Sequence, residues 1–478
     1  MDLKSLMTAW EDRGVLKKVS HPVSRDLEIT EIYQRVFREN GPALLFENVK
    51  DTGYPLLINI FGTWERVWDV FGVASEKELI GRVESLLSVE QPVGLLDKVR
   101  TLWKLKDLAG ILPRSAKKAP CQQHVIEGPD INLDSFPVMK CWPEDAGRFI
   151  TLPAVITKDA VTGRQNMGMY RMQVIDRNRT AMHWHPSKGG NIHLQRAREK
   201  GKRLEVAVAI GCEPAVTYCA TAPLPPDVGE LLFAGLLMGR PVETVKCKTV
   251  DLEVPAESQI VLEGYIDEED SFMEGPFGDH TGYYTPERIF PIFNVQAVTL
   301  NENPVYPSIA VGWPPLEDVL LGKLTERLFF PLIKFVIPEI RDIEIPEAGV
   351  FHNFVFVSID KRYPGQAYKV MDSLWGLGQM SATKVIAVFD CDVNVHDLRE
   401  VLFHLGNNID PLRDVVLKKG PVDILDHASL EEGFGGKMGI DATKKLKEEG
   451  LARPWPKRAV MDEETVKRID GIWSLLGL

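Results

Sequence analysis

The sequence predicts a multidomain α+β protein in which a domain of short, mostly antiparallel strands is set between two α/β segments. Three observations predict it. The 478 residues suffice for two or three domains of roughly 100–200 residues each. Helical and strand patterns alternate towards both ends of the chain, whereas strand-like runs separated by turn clusters dominate between about Leu152 and Leu300. With 44% hydrophobic and 26% charged residues, the chain can bury a large core without metal or disulfide staples.

The first segment, residues 1–116, opens on Leu3, Leu6, Met7 and Trp10 at helical spacing, with Gly14 as the stop. This apolar stripe could touch a membrane surface peripherally, but packing onto its own domain is the simpler expectation. A strand over Ala43–Phe46 follows Gly41-Pro42, and Pro55–Ile60 leads into a helix carrying Trp64, Val67 and Val70. The central domain, residues 117–314, begins with an irregular connector from about Lys117 to Trp142. Strands are then expected at Leu152–Thr157, Met167–Ile175, Ala181–Trp184, Leu204–Ile210, Val242–Thr249, Gln259–Ile266 and Ile292–Leu300, interrupted by a helix over Val228–Met238. Short strands of this kind assemble most naturally into an antiparallel, barrel-like sheet. The last segment, residues 315–478, starts with a helix bearing Leu320, Leu324 and Leu328 and continues with strands at Phe354–Ile359 and Lys384–Asp390. Its final helix lines up Val466, Ile469, Trp473 and Leu476, a stripe that needs a partner surface on its own subunit or on a neighbour.

Charge and cysteine usage narrow the function. A net charge of −12 argues against nucleic-acid binding, which needs a clustered basic surface. The six cysteines are scattered without a CxxC pair, as expected of reduced thiols in the cytoplasm. No apolar signal core follows Met1, and the most apolar run, Leu328–Pro338, is interrupted by Pro331 and Lys334 and falls short of the ~20 residues of a membrane span.

Phosphate-loop, dinucleotide-fold, HExxH and GxSxG patterns are absent, and the glycine cluster Gly433–Gly439 is expected to be a loop. Four other clusters carry chemistry. Glu274-Gly-Pro-Phe-Gly-Asp-His280 sets two acids on a tight glycine- and proline-shaped path. It is either a solvated surface turn or a device that aims both carboxylates into one cavity, where an apolar wall could raise one of them into acid–base range. In Asn166-Met-Gly-Met-Tyr-Arg171, an arginine among apolar neighbours demands a carboxylate or phosphate. Asn166 and Arg171 have opposite strand parity, so a shared site requires Asn166 to precede the regular strand or a bulge at Gly168. In Met182-His-Trp-His-Pro-Ser-Lys-Gly-Gly190, His183 and His185 could hold a metal or line a cofactor groove, with Lys188, Gly189 and Gly190 as a phosphate-approach loop. Asp227-Val-Gly-Glu230 reads as a capping box with Glu230 at the third helical position.

Together these segments resemble the UbiD family of prenylated-FMN-dependent decarboxylases, and within it the bacterial 3-polyprenyl-4-hydroxybenzoate decarboxylases of ubiquinone synthesis. The resemblance rests on Gly41–Asn48, Ala119–Gln123, Cys141–Asp145, Arg164–Arg171, Leu252–Ala256, Glu274–Tyr284 and Lys437–Thr443. It implies a split β-barrel cofactor domain flanked by N-terminal and C-terminal α/β segments, with homo-oligomers (dimer or hexamer) built through the C-terminal part. It implies that Asn166 and Glu230 are metal ligands, usually to Mn2+, often with K+ nearby. Met169, Tyr170, Arg171, His183, Trp184, His185, Lys188 and Gly189 match cofactor-contacting positions, as do Asn166 and Glu230. Some members have a histidine metal ligand where this chain has Lys188.

Arg171, Glu274 and Asp279 match the family's catalytic set, with Asp279 in the proton donor's place. The reaction implied is reversible, non-oxidative decarboxylation of an aromatic acid, with a 4-hydroxybenzoate type expected first and other phenolic, heteroaromatic or polycyclic acids as alternatives. Loss of CO2 from an sp2 carbon needs an electron sink that no side chain offers, and the modified flavin supplies it by bonding covalently to the substrate. A separate flavin prenyltransferase is the implied partner. Phe351–Asn353 is expected to reach the substrate ring. A flavin oxidoreductase on a similar barrel is the alternative of another class.

Overall fold

The computed structural model describes residues 1–87, 109–186, 188–225 and 228–477. The first helix, Leu3–Asp12, is capped by Asp2, whose carboxylate accepts from the Ser5 amide. Leu3, Leu6 and Trp10 are buried, so the stripe packs against its own domain. Strands Leu16–Val19, Ala43–Phe46 and Leu56–Ile58 form the first sheet, and Tyr306–Pro307 from the far end of the central segment joins its edge. Glu317 reinforces the tie by accepting hydrogen bonds from the amides of Asn59 and Phe61.

Among the described residues, nine strands build the central sheet. Its order runs Phe149–Ile150, Met172–Val174, Arg179–Met182, Arg288–Leu300, Ile260–Glu274, Leu204–Ile210, Pro153–Lys158, Gln165–Met169, and His124–Glu127 also pairs with Arg288–Leu300. That last strand falls in the stretch expected to be an irregular connector; four residues pairing with Ala297–Leu300 settle it as sheet. Every ladder is antiparallel, as expected.

The expected single strand Met167–Ile175 is in fact two. Gln165–Met169 pairs with Pro153–Lys158 at one edge, and Met172–Val174 lies beside the other edge. In a flat sheet those two strands would stand six spacings apart, about 29 Å at ~4.8 Å each. The chain crosses from Met169 to Met172 in three residue steps, which reach at most about 11 Å. The sheet must therefore curl until its edges approach, and Tyr170-Arg171 spans the seam.

The third part begins with the long helix Asp318–Val336 and continues into a sheet ordered Ile340–Glu344, Phe354–Ile359, Val385–Asp390, Phe434–Asp441, Val415–Pro421, parallel over its inner three strands. The Gly433–Gly439 cluster is thus mostly strand rather than loop. Gly439 is needed for close packing: a Cβ there would stand 2.5 Å from the Met371 sulfur of the helix Gln366–Trp375. The final helix, Glu463–Ile472, leaves Val466 and the following Trp473 and Leu476 exposed on the single chain.

Candidate active site

Glu274 ends the strand Ile260–Glu274 and Arg288 opens its neighbour, opposite it in register. The chain between them folds into a small two-stranded unit, Phe277–Gly278 against Tyr284–Thr285, with Asp279 at the start of its tip. This excursion is no surface turn. Glu274 is 1% exposed and Asp279 6%. Buried polar groups from other elements fix its path: Gln173 accepts from the Gly275 amide at 2.9 Å, and Asp145 from the Gly278 amide at 2.7 Å. Trp142 packs so close to Gly278 that a Cβ would fall 2.3 Å from its ring.

Arg171, on the seam, reaches the same loop. Its Nε donates to Glu274 Oε1 at 2.9 Å, its Nη1 to Asp279 Oδ2, and its Nη2 to Thr285 Oγ1 at 3.0 Å. The guanidinium also lies over the Phe277 ring, 4.5 Å from the centroid. Burial alone would raise both carboxyls. For Glu274, His183 and Arg171 outweigh it; for Asp279, Arg171 and His280 do, and both acids are held below the usual carboxylate range. The expectation of one acid raised into acid–base range is overturned by this shared cation.

Within the HxH pair the two rings face each other through their Nε2 atoms. Burial keeps both His183 and His185 neutral, His185 with a pKa lowered to about 3. The ionised Glu274 accepts from His183 Nδ1 at 2.5 Å. The His183 Nε2 lone pair then faces His185 Nε2–H at 3.0 Å. The remaining His185 Nδ1 is buried and has no partner, and neither has the indole N–H of Trp184.

The other end of the site gathers around Asn166. Lys188 is the residue before the helix Gly189–Glu199, so the expected phosphate-approach loop is a helix N-terminus. Gly189 crosses so close to Asn166 that a Cβ would lie 2.5 Å from its Oδ1, and a Cβ on Gly190 would lie 2.5 Å from the Trp184 ring. Tyr170 stands edge-on to Trp184, with ring centroids 6.0 Å apart, and its hydroxyl meets the Gly190 amide and Asn166. Met169 is anchored through its amide to the Ala220 carbonyl at 2.9 Å.

Glu230 accepts from the Met167 amide at 3.1 Å, which sets its carboxylate beside Asn166. It is the first residue of the helix Glu230–Met238, not the third; Gly229 is the N-cap, and Asp227 lies outside the described residues. Burial raises the Glu230 carboxyl. An amide and a half-buried carboxylate are a donor set suited to a hard divalent ion. The start of the helix at Gly189 suits a phosphate.

Sequence reasoning brought together Arg171, Glu274 and Asp279, and separately Asn166, Glu230, Tyr170 and the helix start. It missed Thr285, Phe277 and Gln173, which carry no signal of their own, and His280, whose place beside Asp279 was the available clue. Phe351 and His352 come close to His280, with ring centroids at 5.7 and 6.0 Å.

Comparison with known proteins agrees along the whole chain. Residues 7–86, 114–314 and 319–442 match the N-terminal, Rift-related and C-terminal domains of 3-octaprenyl-4-hydroxybenzoate carboxy-lyase. An uncharacterized protein of Aquifex aeolicus is 50% identical over 100% of this chain and 99% of its own. Among solved structures, the vanillic acid decarboxylase of Sedimentibacter hydroxybenzoicus in its closed form superposes with a TM-score of 0.87 at 27% identity, over 99% of this chain and 98% of that one. The UbiD-class enzyme HmfF of Pelotomaculum thermopropionicum in complex with FMN gives 0.79 at 28% identity, over 98% and 99%; an evolved dimeric form of it in complex with prFMN gives 0.78 at the same identity and coverage. With the three domain matches covering most of its length and the acid–arginine–acid constellation assembled in the central one, the chain belongs to the UbiD family of carboxy-lyases.

Proposed function

We propose that this carboxy-lyase removes CO2 from an aromatic carboxylic acid, with prenylated FMN bound between the helix start at Gly189 and the Arg171 cluster. The observation that carries the reading is one largely buried guanidinium shared by Glu274, Asp279 and Thr285. A buried arginine of that kind is poised to take a substrate carboxylate in exchange for one of its own partners. The relatives named for vanillic acid and for prFMN support the substrate class and the cofactor.

Asn166 and Glu230 would hold a divalent ion, assigned as Mn2+ with K+ nearby, against the cofactor phosphate at Gly189 and Gly190. When bound, the flavin supplies the electron sink for the carbon that loses CO2. The protein's own part is to orient the acid through Arg171, keep water out, and deliver a proton through Asp279. A 4-hydroxybenzoate-type acid, as in ubiquinone synthesis, is the first substrate assigned. The exposed stripe around Trp473 supports assembly into a dimer or hexamer.

The test is co-expression with a flavin prenyltransferase, mass spectrometry of the bound flavin, and a CO2-release screen over phenolic and heteroaromatic acids. Prenylated flavin with CO2 release from at least one acid is expected. No prenylated flavin in the purified protein, or bleaching by a nicotinamide without CO2 release, overturns the reading.

A further inference from the structure

Decarboxylation of a carboxylate consumes a proton: RCOO− and H+ give RH and CO2. That proton has to wait within reach of the reacting carbon. Asp279 is in the donor's position, yet its Oδ2 bonds the Arg171 guanidinium, and a carboxyl so placed is ionised at rest. Its Oδ1 is held by His280 twice, through the backbone N–H at 2.8 Å and through the ring Nδ1 at 2.8 Å. The imidazole is flanked by Phe351, nearly parallel to it, and by His352. The helix Asp318–Val336 begins at Asp318, whose Oδ1 is buried without a hydrogen-bond partner. The charged groups that face this imidazole are Asp279 on its own loop, Asp318 on the linker helix and Asp423 in the C-terminal part. Those acids outweigh burial and favour its cationic form. His352 faces it from the C-terminal part as well.

We propose that His280 stores the proton of the reaction, passing it through Asp279 to the carbon that loses CO2, with Asp318 steadying the charge behind it. The inference rests on the decarboxylase reading above. In the step, the His280 Nδ1–H bond breaks and the proton moves to Asp279 Oδ1, the oxygen not bonded to Arg171. It then leaves Oδ1 to form the new C–H bond, using the electron pair of the broken C–CO2 bond. Asp279 returns to its carboxylate and His280 is left neutral. Its side chain is 24% exposed, so solvent recharges it before the next turnover. One solvent proton is consumed per CO2, and charge balances.

Two measurements test this. In the cofactor-free protein labelled with 15N-histidine, the His280 resonance, assigned by its loss in His280→Gln, should report a doubly protonated ring at pH 7.5 and a neutral one in Asp279→Asn. A neutral ring in the unmodified protein overturns the proposal. In the prenylated-flavin holoenzyme assayed with 4-hydroxybenzoate, His280→Gln should lower kcat about 100-fold with KM and flavin content unchanged. His280→Ala should regain activity with added imidazole, because imidazole can carry the proton. A kcat for His280→Gln within about threefold of the unmodified enzyme, or no rescue by imidazole, overturns it. If the unmodified holoenzyme releases CO2 from no acid tried, the functional reading itself fails. Activity that is indifferent to His280 removes only this inference.

Discussion

Arg171→Met withdraws a guanidinium from two carboxylates that are 1% and 6% exposed. Breaking a buried ion pair by removing one partner costs about 3–5 kcal/mol, because the other charge is left buried and uncompensated. Methionine fills much of the volume over the Phe277 ring, so lost electrostatics rather than a cavity decide the outcome. At about 2–4 °C per kcal/mol for a unit of this size, the melting temperature should fall by roughly 6–20 °C at pH 7.5.

The pH dependence carries a sign. In the unmodified protein both carboxyls are held low, so their stabilisation is present above the unfolded carboxylate range and is lost as pH falls through the folded values. Without Arg171, burial acts with less opposition and the carboxyls rise. They then take up protons on folding, and the variant loses less stability on acidification. The gap between the two proteins should be widest at pH 7.5 and narrow by pH 5. Calorimetry of the cofactor-free proteins at both values reads it, with Arg171→Met/Glu274→Gln recovering part of the loss. A gap under about 2 °C at pH 7.5, or one that stays constant or widens at pH 5, refutes the reasoning.

Gly190→Ala places a Cβ 2.5 Å from the buried Trp184 ring at the first turn of the helix proposed for the phosphate. Overpacking there should lower stability by about 1–3 kcal/mol, and flavin retention after purification, read from the visible to 280 nm absorbance ratio, should drop severalfold. Glu230→Gln should lower the Mn2+ content measured by mass spectrometry at least tenfold, while the metal-free variant melts above the unmodified protein at pH 7.5. A carboxyl whose folded pKa is raised by burial opposes folding when charged, and the amide removes that opposition. Unchanged metal content would remove Glu230 from the metal site.

Much of the fold was legible because burial imposes a pattern on the chain. Ala43–Phe46 is a continuous apolar run and Phe354–Ile359 is one broken only by Ser358, and both are strands over those residues. Boundaries were lost where the pattern is set by distant partners. The strand expected at Gln259–Ile266 extends to Glu274, because its neighbour Arg288–Leu300 pairs with it beyond the irregularity at Ile266–Ser271, where Glu268 to Asp270 reach solvent. The break at Tyr170-Arg171 carries no turn residue of its own; only closure of the sheet separates the two strands. In the site, residue types announced a need rather than a partner. Arg171 among apolar neighbours demanded an anion, but Glu274 and Asp279 lie more than 100 positions away. The shared cation that lowers both acids could not be read from a motif that shows only the acids.

That break also explains why the two halves of the site cannot drift apart. Asn166 lies opposite Thr157 in the ladder with Pro153–Lys158, two residues before Gly168, which lies opposite Val155. A one-residue slip would turn Asn166 to the other face of the sheet. The same slip would pull the two-residue seam, and with it Arg171, away from Glu274 and Asp279, because three steps of chain leave no slack across it. The Asn166 end and the Arg171 end of the site therefore share one register. Opposite strand parity looked like an obstacle to Asn166 and Arg171 serving one site, but they do not lie on one strand. Asn166 stands on one edge of a curled sheet and Arg171 on the link to the other, and the curl brings those edges together.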